Sequence, residues 1–110
     1  MGLADEKGWQ VEAEAKAYGL HVVLLKREYV LPWVQFLYAE GTEDSIRAVF
    51  STHDVEVQGK GLTALLADFA FQRVSVLRQP SRADGFVASR GGPQITGLEV
   101  RRMERDTSGV

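Results

Sequence analysis

The sequence contains no cysteine, and this absence excludes several kinds of chemistry at once. Disulfide bonds, nucleophilic thiolates and zinc sites built on cysteine all require that residue. His21 and His53 are the two histidines, so they are the remaining imidazole ligands. They form no metal-binding spacing motif, so we expect neither a metal site nor a cofactor. The alternative is a metal site that His21 and His53 share with a carboxylate such as Glu56.

Long apolar segments are also missing. The longest apolar run, from Val22 to Leu25, is far shorter than the roughly 20 residues of a transmembrane helix. The first six residues are too acidic for a signal peptide. We therefore expect a soluble, cytoplasmic protein without membrane contact.

The length of 110 residues fits one domain over 1–110. A hydrophobic fraction of 45% and a charged fraction of 25% are typical of globular proteins. Polar residues at 1–8 and 104–110 predict mobile tails. Residues 79–94 contain two prolines and three glycines without a sustained period, and they predict a long loop that is either functional or disordered.

A hairpin over residues 46–58 is the central element of the predicted fold. Apolar residues alternate with polar ones in 46–50 and again in 55–58, as in half-buried strands. Cross-strand partners must share a face, so the connecting loop must have an even number of residues. We predict a two-residue loop at Thr52-His53 or His53-Asp54, with His53 and Asp54 as turn residues that tolerate positive φ.

A helix follows the hairpin. Leu62, Leu65, Leu66 and Phe69 have helical spacing, which predicts a helix over 62–72 packed on one face of a sheet. Further short strands are predicted near 74–77 and 95–103. The predicted class is α+β, with an antiparallel sheet of about five or six strands.

The first forty residues are harder to assign. Residues 9–18 alternate like a strand, but Ala, Glu and Lys favour a helix, and we predict an N-terminal helix there. The run 20–25 predicts a strand buried on both faces, in which His21 is buried, neutral and bonded to a carbonyl. Residues 29–39 predict one further strand, with Pro32 at an edge, at a bulge or among the first residues.

His53 and Asp54 are the only adjacent imidazole and carboxylate in the chain. A general base held by a carboxylate requires such a pair, but neighbouring residues usually point in different directions. No nucleophile motif surrounds Ser51. A hydrolase built on His53 and Asp54 is therefore the third functional hypothesis, behind the interpretation of Asp54 as a turn residue that bonds local backbone groups.

The C-terminal half is rich in arginine. Residues 61–110 contain seven arginines and five carboxylates, whereas residues 1–60 contain six basic and ten acidic side chains. Arginine makes bidentate contacts with phosphate, so converging arginines would bind an anion or nucleic acid. The net charge of −2 and the lack of a base-stacking motif oppose this hypothesis. The candidates are Arg78, Arg82, Arg90, Arg101, Arg102 and Arg105.

Aromatic side chains exceed what one helix is expected to cover. Phe71 falls off the apolar stripe of the predicted helix, which suggests a second apolar face for a partner or for the N-terminal helix. We expect a small, non-enzymatic binding or interaction module that associates with itself through a sheet edge or this aromatic face. Arginine-based anion or nucleic-acid binding is the alternative. The aromatic set comprises Trp33, Phe36, Tyr38, Phe50, Phe69, Phe71 and Phe86.

Overall fold

The computed structural model of the chain describes residues 8–12, 16–81 and 92–103. These residues form eight strands and one α-helix, arranged as two four-stranded sheets. The elements are β1 (Trp9–Val11), β2 (Gly19–Val23), β3 (Glu28–Pro32), β4 (Phe36–Gly41), β5 (Ser45–Phe50), β6 (His53–Lys60), α1 (Thr63–Ala70), β7 (Val74–Arg78) and β8 (Gln94–Arg102).

The two sheets differ in strand direction. The first sheet has the order β1-β7-β2-β3, in which β2 and β7 are parallel and the other neighbours are antiparallel. The second sheet has the order β4-β5-β6-β8 and is antiparallel throughout. The α+β class agrees with this architecture, whereas the expectation of a single antiparallel sheet of five or six strands was wrong.

The predicted strand over 29–39 is in fact two strands, one in each sheet. β3 ends at Pro32, and a single 3-10 turn, Trp33–Gln35, leads into β4. β3 is an edge strand of the first sheet, so the N–H that Pro32 lacks is not needed for a hydrogen bond inside the sheet. The chain therefore changes sheets at this turn, and the predicted edge position of Pro32 is confirmed.

The central hairpin is present with a shifted register. Ala48 lies opposite Val55, and Ile46 lies opposite Val57, so the buried faces match as predicted. The two strands leave a two-residue loop at 51–52, which confirms the even loop length but not its position. His53 belongs to β6, and among the described non-glycine residues only Gln72 has a positive φ. The turn role predicted for His53 and Asp54 was therefore wrong.

The helix α1 contributes to a core that both sheets share. Leu62, Leu65 and Phe69 are fully buried, whereas Leu66 is only half-buried. The helix ends at Ala70, two residues earlier than predicted, and Gln72 adopts a φ of 54° just beyond it. The same cluster of buried side chains includes Leu20 and Val22 from the first sheet and Ala48, Val55 and Val57 from the second.

The N-terminal prediction was wrong at every described position it covered. Residues 9–11 form β1, which pairs with β7, and residues 16–18 are not helical; residues 13–15 lie outside the described part. Trp9 is buried opposite Leu77, and this burial and strand pairing decide the structure of residues 9–11. The predicted tails lie almost wholly outside the described residues, as does the middle of the predicted loop, 82–91.

The strand predicted to be buried on both faces is buried on one. In β2, Leu20 and Val22 are buried, whereas His21 and Val23 are half-buried on the other face. The strand ends at Val23, so Leu25 lies in the following turn with 62% of its surface exposed. The first sheet thus has one face toward the core and one that is accessible.

Candidate functional site

The crossing from the first sheet to the second brings distant segments together around Trp33. The backbone N–H of Trp33 donates to the carbonyl of Tyr18 at 3.1 Å, and Ala17 donates to the carbonyl of Gln72 at 2.9 Å. The indole Nε1 of Trp33 also donates to the carbonyl of Val74 at 3.0 Å. The start of β2, the 3-10 turn and the end of α1 are therefore neighbours.

Large apolar side chains lie exposed around this crossing. We call them the junction patch, and its members are Tyr18 (98% exposed), Val34 (90%), Val30 (70%), Leu37 (60%) and Phe71 (60%). Val30 lies beside Gly19, the residue that follows Tyr18, because a Cβ added at Gly19 would lie 3.4 Å from its Cγ1. The Arg73 guanidinium lies 5.2 Å from the Phe71 ring at the edge of the patch. Clustered apolar exposure of this kind is characteristic of interaction surfaces.

The core accounts for much of the aromatic surplus noted in the sequence. The Trp33 ring centroid lies 4.9 Å from that of Phe36, 5.4 Å from that of Phe50 and 5.8 Å from that of Phe69. These four rings pack below the crossing, where both sheets and α1 meet. Of the other members of the aromatic set named from the sequence, Tyr38 and Phe71 are exposed, and Phe86 lies outside the described residues.

The outer face of the second sheet carries paired charges. Arg47 Nε donates to Asp54 Oδ2 at 3.0 Å, and this hydrogen bond is the main cause of the raised pKa of Arg47. Asp54 is buried beneath this contact. Arg101 lies 3.6 Å from Glu56 and 3.6 Å from Glu99, measured between charged atoms. The arginines on this face are thus already bound by carboxylates.

A shallow groove of about 530 Å³ lies on the same face. It is open to solvent, and polar and apolar atoms contribute equally to its lining. The side chains that line it include Glu40, Thr42, Ser45, Arg47, Glu56 and Gln58. Ligand pockets are usually mostly apolar cavities with a few convergent polar groups, so this groove is a weak candidate for a small-molecule site.

The structure does not bring His53 and Asp54 together. They are consecutive strand residues, so their side chains point to opposite faces of the second sheet. Asp54 binds Arg47, which corrects the expectation that it bonds local backbone groups. His53 Nδ1 lies 2.8 Å from Thr52 Oγ1, and its ring lies 5.4 Å from that of Tyr29. Nothing in this arrangement favours the hydrolase hypothesis.

His21 is not the buried residue that the sequence predicted. Its side chain is 42% exposed, and its Nε2 lies 2.6 Å from Glu28 Oε1 on the neighbouring strand β3. The alternation of β2 places it on the accessible face, where a carboxylate rather than a backbone carbonyl is its partner. No metal site is formed with His53, and the described residues hold no group of three or more potential ligands.

Among the residues that the structure describes, the candidates Arg78, Arg101 and Arg102 do not converge. Arg78 ends β7 and is bonded through its N–H to Gly8, which packs against Ile95 near the start of β8. Arg101 lies six residues further along β8, roughly 20 Å away at the strand rise of about 3.3 Å per residue. Arg101 and Arg102 in turn point to opposite faces. Arg82, Arg90 and Arg105 lie outside the described residues.

The patch residues Tyr18, Val30, Val34 and Leu37 were not identified from the sequence. Val30 and Val34 look like ordinary strand residues, and nothing local indicates that Tyr18 meets them in space. The break at Pro32 was the one available signal, since it marks where the chain leaves its strand.

Comparisons with known proteins give no functional guide. No protein-family model, curated protein or solved structure matches the chain. Within the described part of the chain, no helix is long and apolar enough to cross a membrane. The function must therefore be argued from the surfaces themselves.

Proposed function

We propose that the protein is a non-enzymatic interaction module that associates with itself through the junction patch. The observation that carries this proposal is the exposure of its five large apolar side chains around one crossing point. Burying them in an interface removes apolar surface from water, which favours association. Aromatic residues such as Tyr18 and Phe71 are also enriched in interface cores.

A second copy of the chain is the occupant that suits this patch. A two-fold symmetric interface places one surface against itself, so like charges on that surface repel. The outer face of the second sheet holds the carboxylates Glu40, Asp54, Glu56 and Glu99 and the arginines Arg47 and Arg101, so a symmetric contact there would bring charges near like charges. The five members of the junction patch carry no charge, so they meet their own copies without this penalty.

The described strand edges are less suited to self-association. β1 is three residues long with an irregularity between Gln10 and Val11, and β3 ends in Pro32. β4 is interrupted by an irregularity between Phe36 and Tyr38, and the β8 edge carries the charges of 99, 101 and 102. Proline, bulges and charges are the usual protections of an edge against pairing with another chain. Of the two routes expected from the sequence, the apolar face is therefore the one we retain.

The proposal is tested by sedimentation velocity on the full chain at micromolar concentration. We expect a dimer that persists at high salt, because an apolar interface is not weakened by screening. Val34→Asp places a charge in the patch and should weaken association about tenfold or more.

Leu25→Asp is the matched control. Leu25 is also exposed, at 62%, but it lies in the turn at the other end of β2. The Leu25→Asp variant should leave the dimer intact. A wild-type protein that sediments as a monomer, or equal dissociation by both variants, would contradict the proposal.

A further inference from the structure

A second cluster of side chains lies where β3 of the first sheet meets β6 of the second. The ring of Tyr29 lies 5.4 Å from that of His53, and Arg27 Nη1 donates to the Tyr29 hydroxyl at 3.3 Å. Arg102 on β8 is paired with His53 on β6. Directly opposed residues of an antiparallel pair share a face and have Cβ atoms about 4.5–5.5 Å apart, so Arg102 joins this cluster.

The carboxylates next to this cluster in sequence point away from it. Glu28 binds His21 on the accessible face of the first sheet, and Asp54 binds Arg47 on the outer face of the second. Within 8–12, 16–81 and 92–103, no carboxylate forms an ion pair with Arg27 or Arg102. Strand alternation thus leaves two guanidiniums uncompensated in a protein whose net charge is −2.

We propose that Arg27, Tyr29, His53 and Arg102 form a binding site for a phosphate group. Guanidiniums are the preferred partners of phosphate oxygens because they donate two parallel hydrogen bonds. The Tyr29 hydroxyl accepts from Arg27, so its own proton remains to be donated. His53 Nδ1 lies 2.8 Å from the Thr52 hydroxyl, and in the tautomer that accepts from this hydroxyl, Nε2 carries the proton and is a further donor to the anion.

This site is independent of the junction patch. It uses none of the five patch residues, and it recognises charge rather than apolar surface. It also differs from the arginine set expected from the sequence, because Arg27 comes from the acidic half of the chain and Arg101 is excluded by its own carboxylate partners. Failure of one proposal therefore leaves the other standing.

Isothermal titration calorimetry on the full chain at constant ionic strength tests the site with three probes: inorganic phosphate, phosphoserine and adenosine 5′-monophosphate. We expect saturable binding that weakens about tenfold when either Arg27→Gln or Arg102→Gln removes a charge-assisted contact. Tighter binding of phosphoserine than of inorganic phosphate would identify a phosphorylated protein as the source. Tighter binding of the nucleotide would identify a nucleotide, and no gain with either would identify free phosphate.

Arg101→Gln is the matched control, since it removes the same charge from the adjacent position on the opposite face of β8. It should leave the affinity within about twofold of the wild type. Arg27 and Arg102 are exposed, so their replacement should not alter the unliganded melting temperature. Absence of binding by all three probes, or equal weakening by Arg101→Gln, would overturn the proposal. Tyr29→Phe leaves the charge of the site unchanged. It removes only one hydrogen-bond donor, so it should weaken binding less than either arginine variant.

Discussion

The outer faces of the two sheets differ in the partners that their side chains have. On the second sheet, Arg47 and Arg101 are bound by carboxylates on neighbouring strands. On the first sheet, Val76, His21 and Val30 lie side by side on successive strands. His21 has an ionic partner there in Glu28, but Val30 remains 70% exposed.

The side chains on the second sheet thus have partners within the molecule, whereas several apolar side chains on the first sheet remain exposed to solvent. An ion pair within one sheet already compensates its charges, so an incoming partner must break it before gaining anything. Exposed valine and tyrosine side chains gain from any apolar partner that covers them. We therefore propose that association uses the first sheet and its crossing, and that the paired charges of the second sheet have a structural role.

The largest expected effect tests whether the two sheets depend on one core. Leu65 is fully buried in α1, so Leu65→Ala should cost about 2–5 kcal/mol of unfolding free energy. Leu66→Ala is the control, and it should cost less because Leu66 is only half-buried. Denaturant unfolding followed by tryptophan fluorescence and by circular dichroism measures both. Two separate transitions would show that the sheets unfold independently, against the shared core described above.

A smaller effect is expected at the link between the sheets. Trp33→Phe keeps an aromatic ring but removes the Nε1 donor to the buried Val74 carbonyl, which should cost about 1–3 kcal/mol. The same denaturant measurement applies. A loss below about half a kcal/mol would mean that the carbonyl finds another donor, and that this hydrogen bond does not hold the crossing in place.

The smallest effects test the paired charges, using the two carboxylates that share Arg47. Asp54→Asn removes the negative charge of the buried partner at 3.0 Å and should lower the denaturation midpoint. Glu40→Gln removes the exposed partner at 3.9 Å and should change it little. The raised pKa of Arg47 lies far above neutrality, so the difference should persist from pH 6 to pH 9, the range to be measured. Equal midpoints for the two variants would show that burial of Asp54 adds nothing to the pair.

Local patterns in the sequence predicted several elements but not their arrangement. The stripe Leu62, Leu65 and Phe69 located the helix, and alternation located β5 and β6. Alternation constrains only the parity of a loop, so the hairpin turn was placed one or two residues late. At residues 9–11 propensity favoured a helix, whereas pairing with β7 decided for a strand.

The candidate sites depended still more on tertiary contacts. Arg102 lies more than seventy residues after Arg27 and Tyr29 in the sequence, and no spacing rule relates them. Their proximity follows from strand pairing and from sheet-to-sheet packing, which are long-range interactions. The same holds for Tyr18 and Phe71 in the junction patch.

The sequence by itself determined the absence of cysteine chemistry in this chain, the α+β class and the faces of the central hairpin and helix. These properties depend on composition and on periods of a few residues, which are local. Only the tertiary structure decided that there are two sheets, that the chain crosses between them at Trp33, and which charged residues meet a partner. These outcomes depend on which distant strands pair, because pairing decides which side chains share a face.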